Sequence, residues 1–348
     1  MASAVSALVL GVDSGGSGLR VTLARRSPGA EGPRVLGGVR CAEPVRTGPA
    51  GIDADHMAEQ LLPAVRELCA TAGAGGEPVA AACVGAAGMA TLGESLRTRL
   101  PGLLREGCGV RALVLAADAV TAYAGALGQR PGAVVAAGTG MVATGTDLAR
   151  WRRADGWGHL LGDCGGGAWI GRAGLDAALR AVDGRPGGSA VLRARAEERF
   201  GAPLSGLPAQ LYPRADRAAV LASFAPDVAD GCAEGDPVAS RIVRAAAEEI
   251  ADSAAAVCPA QDGGGGATDA TGTAVVACTG GLFRLGEVLQ GPVRARLAAR
   301  LPGVDVVEAA GDPLDGAVLL AHELAADRLA LPRDPALLTV TGPGARQG

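Results

Sequence analysis

The sequence predicts an α/β protein of two domains, each built on a mixed sheet flanked by helices, with a cleft between them. A chain of 348 residues is long enough for two such domains with separate cores. Its 49% hydrophobic and 20% charged residues are typical of a folded globular protein. A unit of strand, glycine turn and strand begins near residue 5 and again near residue 133, which indicates two similar halves.

The first half opens with a strand, a glycine turn and a second strand, and a third strand completes an antiparallel meander. A helix follows, and two further apolar strands then alternate with helical segments, in the βαβ rhythm of a mixed sheet. The predicted strands cover 5–12, 19–24, 35–40, 79–84 and 112–116, and the helix covers 53–72.

The second half repeats this order and adds longer helices. Its predicted strands cover 133–137, 141–146 and 274–278, and its helices cover 168–182, 189–200 and 237–257, with a final helix from Pro313. We therefore expect an N-terminal domain of 1–117 and a C-terminal domain of 118–312. The helix at 313–328 is expected to pack back on the N-terminal domain, and 331–348 is expected to be a flexible tail.

Composition excludes several classes of protein. With a net charge of −4 and a pI near 5.5, the chain lacks the positive field that nucleic-acid binding needs, which argues against a nucleic-acid-binding protein. The chain contains no lysine, which rules out Schiff-base and Walker-type chemistry. The eight cysteines form no C-x-x-C pair, which favours reduced, buried thiols. The first apolar run has no basic flank, and no run approaches a bilayer span, so we expect a cytoplasmic protein without a membrane partner.

The first glycine turn is a candidate phosphate site. A glycine turn after a buried strand presents backbone N–H groups and lets an anion approach without meeting Cβ atoms. Asp13, at the end of the strand, adds a hard oxygen ligand suited to Mg²⁺ through water. The alternative is a plain hairpin that tolerates glycine. The predicted phosphate-binding residues are Asp13, Ser14, Gly15, Gly16 and Ser17.

Two later glycine turns complete the predicted nucleotide site. Gly138-Thr139-Gly140 supplies a second set of N–H groups and a hydroxyl, which suits a polyphosphate. Gly280-Gly281 follows the strand at 274–278, and its bare backbone allows a flat group such as adenine to lie against it. The alternative for Gly280-Gly281 is a strand-to-helix turn without a ligand.

Asp118 is the candidate general base. It stands where the strand at 112–116 gives way to a helical window, and a carboxylate at that end of a strand opens into the cleft. There it could accept the proton of a sugar hydroxyl that attacks the γ-phosphate. The alternative is a helix N-cap, where aspartate is favoured.

The segment GWGHLLGD at 156–163 is the candidate sugar loop. An aromatic side chain, neighbouring glycines and a carboxylate are what a small polar ligand with a carbohydrate face would use, here Trp157, Gly158 and Asp163. His159 has no metal-binding partner at a suitable spacing, so a structural hydrogen bond is favoured for it.

These motifs together resemble the N-acetylglucosamine kinase-like proteins, which are grouped with the BadF-type ATPases in the superfamily of actin, hexokinase and heat-shock chaperone ATPases. The resemblance covers residues 7 to 325. It implies two RNase H-like domains with five-stranded sheets, ATP and Mg²⁺ as cofactors, transfer to a sugar 6-hydroxyl with Asp118 as base, and a homodimer. It also implies that Asp118 and Thr139 contact the sugar.

The chain differs from the family pattern in the second phosphate motif and in the residues near the sugar. Met141 stands where the second phosphate motif commonly has Ser, and Gly-Asp-Cys-Gly-Gly at 162–166 replaces Gly-Asp-Glu-Gly-Ser. The usual sugar-contacting asparagine cannot occur, because the chain has none, and Arg46 or Thr47 stands in that stretch. N-acetylglucosamine is the predicted substrate, with glucosamine, a muramic-type sugar or another hexose as alternatives. An iron–sulfur ATPase activator and a non-catalytic sugar sensor are the alternatives in other functional classes.

Overall fold

The computed structural model describes residues 6–15, 18–26, 32–48, 51–260 and 274–342. Its α-helices are α1 Ala54–Thr71, α2 Met89–Leu92, α3 Glu94–Cys108, α4 Asp118–Leu127, α5 Gly167–Asp183, α6 Ala190–Phe200, α7 Leu207–Leu211, α8 Arg217–Ala222, α9 Ala225–Ala233, α10 Pro237–Val257, α11 Glu287–Arg300 and α12 Pro313–Ala325. Two short 3₁₀ helices cover Leu204–Gly206 and Gly281–Leu285.

The strands are β1 Ala7–Gly15, β2 Gly18–Arg26, β3 Arg34–Cys41, β4 Thr47–Gly48, β5 Gly51–Ile52, β6 Val79–Ala86, β7 Ala112–Ala117, β8 Gly132–Ala137, β9 Met141–Thr146, β10 Trp151–Asp155, β11 Val275–Thr279, β12 Asp305–Glu308 and β13 Leu338–Thr341. Every strand and long helix predicted from the sequence is present, with ends shifted by a few residues. Segments that the sequence did not predict include the short strands β10, β12 and β13.

The chain divides into two compact units. Unit 1 contains 1–131, 146–151 and 309–348, and unit 2 contains 132–145 and 152–308, as far as these residues are described. Helix α4 belongs to unit 1, although the predicted boundary lies just before it. Helix α12 also belongs to unit 1 and packs on β1 and β6.

The sheet of unit 1 has the strand order β13-β7-β6-β1-β2-β3 among the described residues. Strands β1, β2 and β3 form an antiparallel meander, and β1, β6 and β7 run parallel. Strand β1 is buried continuously from Leu8 to Val12, and α12 and α4 pack on it. The backbone of α12 lies so close to β1 that a Cβ on Gly11 would stand 2.7 Å from the nitrogen of Val318.

The flexible tail predicted for 331–348 is wrong over its middle part. Leu338–Thr341 forms β13, which pairs antiparallel with β7 and buries Leu338 completely. The unpaired edge of β7 offers hydrogen-bonding groups to any extended segment, and the β-branched run from Thr339 to Thr341 suits that position. Residues 343–348 of the predicted tail lie outside the described residues.

The sheet of unit 2 has the order β10-β9-β8-β11-β12, in which β11 runs parallel to both β8 and β12. The strands of unit 1 lie in the order β3-β2-β1-β6-β7, and those of unit 2 in the order β10-β9-β8-β11-β12. In both sheets the third, second, first, fourth and fifth strands along the chain are therefore neighbours in that order. The shared strand order is the structural form of the repeat seen in the sequence. It confirms the predicted mixed α/β class, with β13 as a sixth strand in unit 1.

Two N-caps show how local sequence sets helix ends. Asp53 accepts hydrogen bonds from the backbone nitrogens of Asp55 and His56 at the start of α1, at 3.0 and 3.1 Å. Asp312 and Asp315 form a reciprocal capping box at the start of α12. No helix among the described residues is long and apolar enough to cross a bilayer.

Candidate functional site

The first glycine turn connects the carboxyl end of β1 to the start of β2 in the unit 1 sheet. Ser14 pairs with Leu19, and Gly15 pairs with Gly18, while Gly16 and Ser17 of the predicted phosphate site lie outside the described residues. Gly18 has a φ of +110°, and a Cβ there would stand 2.2 Å from the carbonyl oxygen of Cys41. Only glycine fits this position. Around Gly15, in contrast, a Cβ would meet nothing within 4 Å, which leaves room for an anion.

Asp13 forms an ion pair that the sequence analysis missed. Arg20, its partner across the hairpin, donates from Nε and Nη2 to Asp13 Oδ2 at 2.9 and 2.7 Å. The same guanidinium donates from Nη1 to Asp312 Oδ2 at 2.5 Å. Partial burial acts to raise the pKa of Asp312, but the bond from Arg20 and the capping N–H groups outweigh it and lower that pKa. One arginine therefore fixes two carboxylates.

This geometry is compatible with the Mg²⁺ site expected at Asp13. Both Arg20 bonds end on Oδ2, so the second carboxylate oxygen, Oδ1, is not engaged by the guanidinium. The described residues contain no group of three acidic, histidine or cysteine side chains able to hold a metal ion by themselves. A Mg²⁺ ion that keeps its waters and takes phosphate oxygens needs only one such carboxylate. The residues therefore fit a hydrated ion held with the nucleotide.

Asp118 is the first residue of α4, directly after β7. Strands β1, β6 and β7 are parallel and in register, with Ser14 beside Ala86 and Ala86 beside Ala117. Their carboxyl ends therefore share one edge of the sheet, and two strand spacings separate β1 from β7 by about 10 Å. The Asp118 side chain is exposed, and its Oδ1 accepts a bond from the nitrogen of Ala119 at 2.9 Å. The N-cap of α4 is Ala117, so Asp118 does not have the N-cap position considered as its alternative.

The stretch with Arg46 and Thr47 follows β3 and continues into β4. The backbone nitrogen of Arg46 donates to Nδ1 of the buried His56 on α1 at 3.0 Å. The side chains of Arg46 and Thr47 are exposed, and the Arg46 guanidinium lies 3.8 Å from Glu43. The backbone of this loop is anchored while both candidate sugar ligands remain accessible. His56 was not identified from the sequence, where a lone polar residue near a helix start gives no signal of its role.

In unit 2 the second glycine turn lies against the start of α5. The nitrogens of Gly167 and Ala168 donate to the carbonyl oxygens of Gly138 and Thr139 at 2.9 and 2.8 Å. These bonds cap a helix whose N-cap, Gly166, has no side chain to do so. Thr139 is exposed. The turn is thus held at the positive end of a 17-residue helix, which favours a nearby anion.

The loop 156–163 is built around two aspartates. Asp155 accepts from the nitrogens of Asp163 and Cys164 at 2.6 and 2.8 Å. Asp163 in turn accepts from the nitrogen of Gly158 at 3.1 Å. Asp163 has a left-handed φ of 55°, and a Cβ on Gly140 would stand 2.4 Å from its Oδ2. The Asp163 carboxylate therefore packs directly against the second glycine turn.

Burial of Asp163 has an electrostatic consequence. Desolvation, assisted by the charge of Asp155, raises the pKa of Asp163, and the bond from the Gly158 nitrogen opposes this only in part.

The tip of the same loop is apolar and exposed. Trp157 is 69% exposed with the Arg153 guanidinium 5.1 Å from its ring, and Leu160 and Leu161 are 80% and 86% exposed.

The third glycine turn lies beside the second. Strands β8 and β11 are parallel neighbours, with Ala136 opposite Thr279, and both turns follow at their carboxyl ends. Gly280 has a φ of +105°, and a Cβ there would stand 2.2 Å from the carbonyl oxygen of Ala137. Around Gly281 a Cβ would meet nothing within 4 Å. The bare backbone expected to receive a flat group is thus accessible at Gly281.

The structure brings the predicted site residues together within each unit. At the carboxyl edge of the unit 1 sheet it gathers Asp13, Ser14, Gly15 and Asp118. In unit 2 it gathers Gly138, Thr139, Gly140, Asp163, Gly280 and Gly281, with Trp157 and Gly158 on the adjoining loop. Sequence reasoning missed the ion pairs of Arg20 with Asp13 and Asp312, and the backbone hydrogen bonds that Asp155 accepts. The Asp-Pro-x-Asp pattern of a capping box was the one available signal.

Comparison with known proteins agrees with this architecture. The model of the BadF/BadG/BcrA/BcrD ATPase family matches residues 10–321. The N-acetylmuramic acid/N-acetylglucosamine kinase of Clostridium acetobutylicum is 25% identical over 325 residues, covering 90% of this chain and 98% of that protein.

Two solved structures extend the comparison. A protein of Chromobacterium violaceum provisionally assigned as an N-acetylglucosamine kinase has a TM-score of 0.66 and 26% identity, over 90% of this chain and 98% of its own. A ROK family glucokinase of Streptomyces griseus, solved with glucose and AMPPNP, has a TM-score of 0.52 and 20% identity, over 92% and 99% of the two chains. The second likeness concerns the fold alone, which is the predicted one.

Proposed function

The chain belongs to the BadF/BadG/BcrA/BcrD ATPase family, and on this premise we propose that it is an ATP-dependent sugar kinase acting on N-acetylglucosamine or a closely related amino sugar. Family membership supports the use of ATP. The relatives from Clostridium acetobutylicum and Chromobacterium violaceum support an amino sugar as acceptor, since each matches about nine-tenths of the chain. The observation that carries the proposal is that Asp118 and the turn at Ser14 and Gly15 both follow the carboxyl ends of parallel strands in the same sheet.

The proposed reaction is transfer of the γ-phosphoryl group to the 6-hydroxyl of the sugar. Asp118 accepts the hydroxyl proton as the oxygen attacks the γ-phosphorus, and the bond to the β,γ-bridging oxygen breaks to release ADP. The turns at residues 14–18 and 138–140 hold the phosphates. Bound Mg²⁺ would neutralise phosphate charge, with Asp13 holding it through water. Thr139, Trp157, Gly158 and Asp163, with Arg46 and Thr47, are the proposed sugar contacts.

Replacing the proposed base tests the mechanism. Asp118→Asn keeps the size and polarity of the side chain but cannot accept the proton, so turnover should fall by about 10²- to 10⁴-fold. Binding of ADP, measured by calorimetry, should stay within about twofold of the wild type, because the base contacts the acceptor rather than the nucleotide. Asp176→Asn, on the exposed face of α5 where Asp176 pairs with Arg180, is the matched control and should leave turnover unchanged. Turnover of the Asp118→Asn protein at the wild-type rate would remove Asp118 from the mechanism.

A panel of acceptors tests the substrate. With ATP and Mg²⁺, ADP release should be fastest with N-acetylglucosamine among N-acetylglucosamine, N-acetylmuramic acid, glucosamine and glucose. N-acetylmuramic acid is the second candidate, favoured by the activity named for the Clostridium acetobutylicum relative and by the exposed guanidinium of Arg46, which suits a carboxylate. Sugar binding without ADP release from any acceptor would instead support a non-catalytic sensor.

A further inference from the structure

His56 is one of three histidines in the chain, and the proposed mechanism gives it no part. We infer that His56 is a positioning residue for the acceptor sugar, because one of its ring nitrogens holds the backbone of the segment that carries Arg46 and Thr47. The inference deepens the proposed function and rests on it, since both side chains are proposed sugar contacts. His56 itself does not contact the sugar in this arrangement.

The neighbours of His56 determine which ring nitrogen carries the proton. The backbone nitrogen of Arg46 is a donor, so Nδ1 of His56, 3.0 Å away, accepts from it. A neutral ring then carries its proton on Nε2. That nitrogen lies 3.3 Å from the carboxylate of Glu43, and the side-chain amide of Gln60, also 3.3 Å away, can turn its oxygen to the same proton. Acceptors at Nε2 therefore keep Nδ1 free of a proton and available to Arg46.

Arg46 is held through both of its backbone groups by the start of α1. Its nitrogen donates to His56, and its carbonyl oxygen accepts from the nitrogen of Asp53 at 2.9 Å. Asp53 is the N-cap of α1 and accepts from the nitrogen of His56 at 3.1 Å. The next residue along the chain, Thr47, begins β4 and pairs with Ile52. The segment is therefore fixed to the helix start immediately before its two candidate sugar ligands diverge from it.

His56 differs in exposure from the residues that it positions. Its side chain is 5% exposed, whereas the side chains of Arg46 and Thr47 are exposed. The Arg46 guanidinium lies 3.8 Å from Glu43, and an exposed ion pair of this kind contributes little. The buried anchor therefore does more than the surface pair to fix where these ligands stand. Ligands that are fixed in advance lose less entropy when the sugar binds.

Three variants of the full-length protein separate the hydrogen bond from the volume of the ring. His56→Asn keeps an acceptor oxygen at the position of Nδ1, whereas His56→Gln places its amide at the position of Nε2 and His56→Leu has no acceptor. In an ADP-release assay, the Gln and Leu variants should raise KM for N-acetylglucosamine by about tenfold, with KM for ATP within about twofold of the wild type. His56→Asn should keep both KM values within about threefold.

Thermal unfolding of the same variants excludes a merely structural role. Asparagine is the smallest of the three replacements and leaves the largest void, so a role in packing alone would give His56→Asn the lowest Tm and the highest KM for the sugar. The positioning role predicts the opposite order for KM. Values of KM that follow Tm, or that equal the wild-type value in all three variants, would overturn the inference.

Hydrogen exchange tests the anchor without any substrate. The backbone amide of Arg46 should exchange about tenfold faster in His56→Gln and His56→Leu than in the wild type, and His56→Asn should restore its protection. Unchanged exchange in the Gln and Leu variants would show that His56 does not hold the segment. A wild type that releases no ADP with any acceptor would overturn the proposed kinase function and the sugar role with it, a result distinct from failure at His56 in an active enzyme.

Discussion

Helices α4 and α12 touch through two glycines, and enlarging one of them should separate the helices. A Cβ on Gly125 of α4 would stand 2.0 Å from the carbonyl oxygen of Asp312, and a Cβ on Gly316 of α12 would stand 2.0 Å from that of Thr121. Both neighbours are backbone atoms, which cannot rotate aside. Gly125→Ala therefore forces the two helix axes apart by about 1 Å in a closely packed interior.

Two opposing effects set the magnitude. Alanine is favoured over glycine in a helix interior by about 1 kcal/mol. Overpacking a tight contact costs about 1–3 kcal/mol, and a clash between backbones belongs at the upper end. We expect a net loss of about 1–2 kcal/mol from the free energy of unfolding. Gly102→Ala in α3, where a Cβ meets nothing within 4 Å, should gain up to about 1 kcal/mol from helix propensity alone.

Thermal unfolding followed by circular dichroism measures both variants, which should shift Tm in opposite directions. Because α4 begins with Asp118, Gly125→Ala should also lower turnover with the amino sugar, whereas Gly102→Ala should not. A Gly125→Ala protein that is as stable as the wild type would show that the helices accommodate the methyl group. The inferred rigidity of this contact would then be wrong.

Two further perturbations test ionisable groups of unit 1. Asp312→Ala removes both the cap of α12 and the Arg20 pair and should cost about 1–2 kcal/mol of unfolding free energy, whereas Asp312→Asn keeps the cap and should cost less than about 1 kcal/mol. Equal losses in urea unfolding would contradict the assignment of the cap. Burial, assisted by the charges of Arg328 and Arg26 and opposed by Glu323, lowers the pKa of His322, whose Nδ1 has no partner among the described residues. Folding therefore favours the neutral ring, so stability should fall as pH drops below about 6.5, the unfolded value, towards the folded pKa. His322→Gln should flatten that dependence, and an unchanged slope would assign it to other groups.

Local sequence was sufficient where a strand and its turn carry their own signals. The apolar run of β1 followed by glycines, and the carboxylate at the end of β7, predicted the edge on which Asp13 and Asp118 lie. The same reasoning predicted two similar halves from the repeated strand-turn-strand unit, but not the strand order of their sheets.

Contacts between distant residues could not be predicted in this way. Arg20 and Asp312 are 292 positions apart, and no local pattern indicates their ion pair. Strand β13 is four residues long and becomes a strand only because β7 has an open edge. Asp163 packs against Gly140 because hydrogen bonds to Asp155 set the course of its loop. The motif alone does not indicate this contact.

The division of unit 1 along the chain has a consequence for biosynthesis. On the ribosome, all of 132–308 has been translated before α12 and β13 appear, so unit 2 can fold while unit 1 still lacks a helix and an edge strand. Until then β1 and β6 lack the apolar cover of α12. The nascent N-terminal segment therefore exposes an apolar face of its sheet during this time. A chaperone that binds exposed apolar surface would be of most use at this stage.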